Sequence, residues 1–318
     1  MRKAKVSLTL ALILLSINPA ILTAQTAAQK EREAQLIAII QKADATRKEK
    51  ADACRELSVI GTKHAVAPLA ALLADEELSH MARYALEPIP DPAVDEALLA
   101  ALGSLKGLPR VGVIGSLGVR RVARAAEPLA QLLNDPYPFV VQAAARSLGK
   151  IASPTALKAL QDNLPKTPAA NQLALCEGLF RCADAAVAQG KSDQAIVIYE
   201  QLLNFPAAPH QVRGGALRGM ILAQKDPLPL LKKSLAGDDY ILFTAALQAS
   251  QLLPGPAVTA ALTEPMKRLP VDNQILILQA LGDRNDASAL PAIIEITKNQ
   301  DTTLRITALK TLGQLGNA

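Results

Sequence analysis

The chain has 318 residues, half of them hydrophobic, yet only 3% are aromatic and none is Trp, so its apolar content is mostly Ala and Leu. That mixture suits closely packed helices and supplies few of the aromatic walls that small-molecule pockets use. Its formal net charge of +5 is spread over interspersed Lys, Arg, Asp and Glu, without the basic stripe that nucleic-acid binding requires.

The first segment, MRKAKVSLTLALILLSINPAILTAQ, sets Arg2, Lys3 and Lys5 before an apolar run that ends in small residues around Ala24. This is the layout of a secretory signal peptide over residues 1–24, cleaved at Ala24 with Ala28 as the fallback. Asn18 and Pro19 interrupt the run, so no stable membrane span is expected after cleavage. The mature chain, stripped of three cations, carries a net charge of +2 and is expected in the periplasm or outside the cell. No Cys follows the run, so no lipid anchor is expected. Cys54, Cys176 and Cys182 remain. Their odd number, and the six-residue step that turns Cys176 and Cys182 to different helix sides, point to buried free thiols.

From Thr46 onward a frame repeats. Leu57 has Ala53 four residues before it, Ala65 eight after and Leu69 twelve after; Leu86 has Ala82, Val94 and Leu98. Leu117 has Val113, Ala125 and Leu129, Leu148 has Ala144, Ala156 and Leu160, and Leu281 has Ile277, Ala289 and Ile293. The anchors stand 29, 31 and 31 residues apart in the first half, and Leu312, 31 residues after Leu281, opens a further frame with Ala308. The −4 and anchor positions share one helix face, and the +8 and +12 positions share a face of the next helix. A fixed period of this length means stacked helical hairpins, each burying its apolar face against its neighbours.

The connectors agree. LGKIASPTAL (Leu148–Leu157) and LGDRNDASAL (Leu281–Leu290) place Gly just after the anchor, where a helix C-terminus is expected to turn. A Ser, Thr or Asp then sits where the next helix needs a cap, and Pro68 and Pro128 are expected in the first turn of a second helix. The stretch GVIGSLGVRR, Gly112–Arg121, fits this frame with Gly118 as connector glycine. Its G-x-x-G-x-x-G spacing is neither a dinucleotide fingerprint nor a P-loop, so no phosphate site is expected.

With this frame, and with VVQAAARSLGKIASPTALKAL (Val140–Leu160) as the best example, the chain resembles HEAT-like repeats, especially the short bacterial kind related to phycobilisome-lyase repeats. The resemblance covers Thr46–Leu164 and Val271–Ala318, and Ala207–Leu269 with irregular spacing. Between them, GKSDQAIVIYEQLLNFP has Gly190, Ala195, Tyr199, Leu202 and Pro206 at spacings that resemble the second helix of a tetratricopeptide (TPR) repeat. The expected fold is an all-α, right-handed α-solenoid of about nine hairpins. Its expected organisation is a signal peptide at 1–24, HEAT-like repeats at 25–165, a TPR-like hairpin at 166–206 and HEAT-like repeats at 207–318.

Little in the sequence points to chemistry. His64, His80 and His210 have no His or Cys at ligand-like spacing, and no nucleophile elbow or local Cys–His pair appears. No cofactor or metal is therefore expected. Glu76 and Glu77 suit a helix N-terminus. Arg120, Arg121 and Arg124 run the other way, placing positive charge at the opening of a second helix, where the macrodipole opposes it. Pairing with Glu127, Asp95 and Glu96 would account for them; a partner-binding edge formed by Arg120, Arg121 and Arg124 is the functional alternative.

The expected function is a non-catalytic protein–protein interaction scaffold exported to the cell envelope, holding a protein partner on its solenoid surface. A second expectation is the repeat arm of a larger envelope enzyme or electron-transfer protein whose catalytic domain lies outside this chain. It rests on Leu312, whose frame stops at LGQLGNA before any second helix. A chromophore-lyase activity is implied by the resemblance alone. No residue argues for it, and export counts against it.

Overall fold

The computed structural model describes residues 19–316, with side chains from Ala27; residues 1–18, where most of the expected signal peptide falls, lie outside them. The described residues are all-helical, with eighteen α-helices, short 3₁₀ turns and no strand. They fall into two compact units, divided after Ala125.

The first unit contains α1 (Pro19–Gln41), α2 (Arg47–Ile60), α3 (Lys63–Ala71), α4 (Ser79–Leu86), α5 (Pro92–Ser104) and α6 (Gly107–Val119). α2, α4 and α6 form one row and α3 and α5 a second, with α1 packed on α2 and α3. The helix starts follow local chemistry. Thr46 and Glu49 form a reciprocal capping box, Glu49 N donating to Thr46 Oγ1 at 3.2 Å and Thr46 N donating to Glu49 Oε2 at 2.7 Å. Thr62 and Asp91 cap α3 and α5 by accepting from His64 N and Ala93 N.

The second unit begins with α7 (Ala126–Gln131), α8 (Pro138–Ile151), α9 (Pro154–Asn163), α10 (Ala169–Ala188), α11 (Ser192–Leu203) and α12 (His210–Ala223). It continues through α13 (Leu228–Leu235), α14 (Tyr240–Ser250), α15 (Pro256–Thr263), α16 (Val271–Arg284), α17 (Leu290–Ile296) and α18 (Thr302–Leu315). Ser153 caps α9 and Asp239 caps α14.

The repeat frame is the core. Leu57, Leu86, Leu117, Leu148 and Leu281 are all fully buried, and so are their partners at −4, +8 and +12, from Ala53 and Ala65 through to Ile293. Leu312 is only partly buried, whereas Ala308 is fully so. Cys54, Cys176 and Cys182 are buried free thiols within these faces. The fold is an α-solenoid of helical hairpins.

Two expectations about the connectors are corrected. Gly118, Gly149 and Gly282 are not where the helices turn; each lies inside its helix. The left-handed residue comes three positions later, at Arg121 (φ 52°), Ala152 (φ 49°) and Asn285 (φ 50°). At Gly149 the missing side chain permits close approach of helices instead. A Cβ on Gly149 would stand 2.5 Å from Gly178 Cα in α10, and one on Gly178 would stand 2.6 Å from Ala145 O in α8. Pro128 is third in α7, but Pro68 is sixth in α3, one turn beyond its expected place.

Candidate protein-binding surfaces

The three arginines singled out by sequence have different fates. Arg120 reaches back across the preceding connector. Its Nε donates to Asp95 Oδ1 at 2.6 Å, its Nη1 to Glu87 O at 2.8 Å and Ile89 O at 2.7 Å, and its Nη2 to Asp91 O at 3.3 Å. Only 13% of its side chain is exposed, so Arg120 acts as a clamp between repeats. Arg124 pairs with Glu96 at 2.6 Å on the open surface, where such a pair adds little stability. Arg121 is exposed, in the left-handed turn. Asp95 and Glu96 thus take two of the three arginines.

The second unit repeats the clamp. Arg284 Nη1 donates to Ser250 O and, at 2.9 Å, to Leu253 O, while Nη2 donates to Gly255 O at 3.2 Å. The sequence separations of 34, 31 and 29 residues nearly match the 33, 31 and 29 of Arg120. In both units one guanidinium satisfies connector carbonyls that the helices leave unpaired.

The histidines are exposed in the first turns of α3, α4 and α12. Among the described residues no three His, Cys, Asp or Glu side chains converge as metal ligands. Burial pushes the thiols up, to about 11 at Cys54 and Cys176 and about 12 at Cys182, which removes the thiolate that nucleophilic chemistry needs. No described helix is long and apolar enough to cross a membrane.

A surface the sequence did not reveal lies in the second unit. α11 packs against both α10 and α12, and two aromatic rings wedge between them. The Phe180 ring faces Gly215, where a Cβ would stand 3.2 Å from Cζ, and the Tyr199 ring faces Gly219, where a Cβ would stand 2.6 Å from the ring. The two rings are 6.1 Å apart, tilted by 46°. They floor a groove of about 670 Å³, walled by Val187 and Asp184 of α10 and by Arg218 and Leu222 of α12. Val187 and Leu222 are 41% and 37% exposed. Tyr199 is buried, its hydroxyl donating to Asp184 Oδ1 at 2.9 Å; burial, with that bond, raises the phenol above its ordinary range. The signal for this groove was RGGALRG (Arg213–Gly219), three glycines inside a helix, which is costly unless something packs on them.

Residues 96–179 match the family model for HEAT repeats. Over this stretch the chain carries HEAT repeats. No curated protein matches it by sequence. Among solved structures it is similar to an engineered protein, at 16% identity over 90% of this chain and 89% of that one, with a TM-score of 0.40. It is also similar to human deoxyhypusine hydroxylase in complex with glycerol, at 16% identity over 80% and 97%, TM-score 0.37. A third is the complex of CpcE and CpcF of phycocyanin lyase from Nostoc sp., at 23% identity over 78% and 94%, TM-score 0.37. At these scores the likenesses carry no functional weight.

Proposed function

We propose that this HEAT-repeat chain is a non-catalytic scaffold of the cell envelope that holds a protein partner on its helical surface. The observation that carries the reading is the aromatic-floored groove between α10 and α12, where apolar side chains stay exposed on facing walls. Interfaces concentrate Tyr, Phe and Arg. Of the eight Phe and Tyr residues in the chain, Tyr84, Tyr137, Phe139 and Tyr240 are exposed as well. The edge carrying Arg121 and Arg124 is the second contact region. Export rests on the N-terminal pattern of Arg2, Lys3, Lys5, the apolar run and Ala24.

The test is affinity capture from an envelope extract with tagged mature chain, residues 25–318. Parallel baits carry Leu222→Asp, or Arg121→Glu with Arg124→Glu. A stoichiometric protein retained by the first bait and lost with either folded variant supports the scaffold and locates its contact. If none of the baits retains a protein, the scaffold reading fails, and the chain is better sought as an arm of a larger envelope protein.

A further inference from the structure

The α10–α12 groove is charged as well as apolar, and its charges are of opposite sign on opposite walls. Asp184 on α10 has one carboxylate oxygen bonded to Tyr199 and its other oxygen without a partner among the described residues. Across the groove the Arg218 side chain of α12 is exposed and makes no hydrogen bond or ion pair to a described residue. Neighbouring arginines are satisfied inside the unit, Arg146 by Glu177 and Arg213 by Asp239, both at 2.6 Å.

The walls decide what form of chain can lie there. Both are helices whose backbone groups bond internally, so an added strand would find no free N–H or C=O to pair with. The ring of Tyr199 is buried and that of Phe180 half-buried, so there are no open aromatic slots for a polyproline segment. The groove runs from Phe180 to Ala188 on one side and from Gln211 to Ala223 on the other, about two and a half to three and a half helical turns. A helix laid between two helices meets both through its side-chain ridges.

We infer that this groove docks an amphipathic α-helical segment of a partner protein. Its apolar residues rest on Phe180, Val187 and Leu222, a basic side chain faces Asp184, and an acidic side chain faces Arg218. This rests on the scaffold reading and names the form and charge of what the scaffold holds.

The test titrates the chain into fluorescently labelled helical peptides and reads anisotropy. One peptide has Leu at i, i+3 and i+7 with Lys on one flank and Glu on the other. A second has the same composition scrambled to break the apolar face, and two more carry only Lys or only Glu on both flanks. The first peptide should bind at least about tenfold more tightly than the scrambled one. Leu222→Asp should abolish that binding. Asp184→Asn, which can still accept from Tyr199, and Arg218→Gln should each weaken it about three- to tenfold and flatten its salt dependence. Arg181→Gln, on α10 but outside the groove, should change nothing. Failure of every peptide to bind, equal binding of the scrambled one, or indifference to Leu222→Asp overturns the inference. Preference for an all-Lys or all-Glu flank overturns the charge assignment. A partner captured from the envelope and still held by the Leu222→Asp bait would leave the scaffold standing and sink the groove alone.

Discussion

Adding one methyl group at two glycines should move stability in opposite directions. Gly115 lies inside α6, and a Cβ built there meets nothing within 4 Å. Gly115→Ala should therefore recover most of the helix propensity that glycine forfeits, about 0.5–1 kcal/mol. Gly178 lies inside α10, and its Cβ would stand 2.6 Å from Ala145 O, with Leu160 Cδ1 at 3.0 Å. The nearer atom is backbone and cannot rotate away, so α8 and α10 must separate by several tenths of an ångström. Overpacking of this kind costs about 1–3 kcal/mol, which exceeds the propensity gained. Gly178→Ala should be destabilising by about 1–2 kcal/mol, a melting-temperature drop of several degrees against a rise for Gly115→Ala. Circular dichroism melts with calorimetry, read transition by transition, provide the comparison. Gly149→Ala should behave like Gly178→Ala, and the double variant should be non-additive because the two sites touch. If Gly178→Ala melts at or above the parent, the close approach of α8 and α10 is not what holds glycine there.

Three further outcomes follow from the same geometry. Arg120→Met and Arg284→Met should each cost about 2–3 kcal/mol by stripping several charge-assisted bonds from connector carbonyls, whereas Arg124→Met, whose pair with Glu96 is exposed, should cost under about 1 kcal/mol; urea titrations of the three variants decide. Cys54, Cys176 and Cys182, buried with thiols raised to about 11, 11 and 12, should be silent to a thiol reagent at pH 8 and should all react in urea. Reaction of any of them at the rate of a free thiol in the native chain would contradict their burial. Stability should hold between about pH 5 and 8.5 and fall on both sides. The Arg213 hydrogen bond to Asp239 and the Thr259 hydrogen bond to Asp286 lower those carboxyls; the stability they add is present above the unfolded carboxylate value and is lost as pH falls through the folded one. The raised thiols work in reverse, their contribution being whole below the unfolded thiol value and lost as pH rises through about 11. Denaturant midpoints across the pH range would show a flat acid limb if the carboxylate pairs contribute nothing.

The hairpin frame was legible because it is written in hydrophobic spacing. Every anchor leucine from Leu57 to Leu281 is buried, and a side chain's face follows from its position along the helix. Caps were legible for a similar reason, since Thr62, Ser153 and Asp286 act on amide groups within three residues of themselves. Glycine was misread because its two uses look alike in sequence. A glycine just after an anchor leucine suits a turn as well as a contact, and only the neighbouring helix shows which use is made of it. Gly149 is defined by Gly178, 29 residues away, and no local rule couples them.

The groove was illegible for a related reason with a different consequence. Phe180, Tyr199 and Gly219 sit on three successive helices, and each is unremarkable alone: an aromatic in a core, a tyrosine resembling a TPR position, a costly helix glycine. Together they set two rings where α10 and α12 come near each other. A sequence under pressure only to pack would also cover Val187 and Leu222, which stay 41% and 37% exposed. This one keeps the glycines, holds Tyr199 in place with Asp184, and leaves Arg218 unpaired at the rim. A Cβ at Gly215 or Gly219 would meet the Phe180 or Tyr199 ring, so the helix-propensity cost of the two glycines, about 1 kcal/mol apiece, is spent on seating the rings that floor the groove.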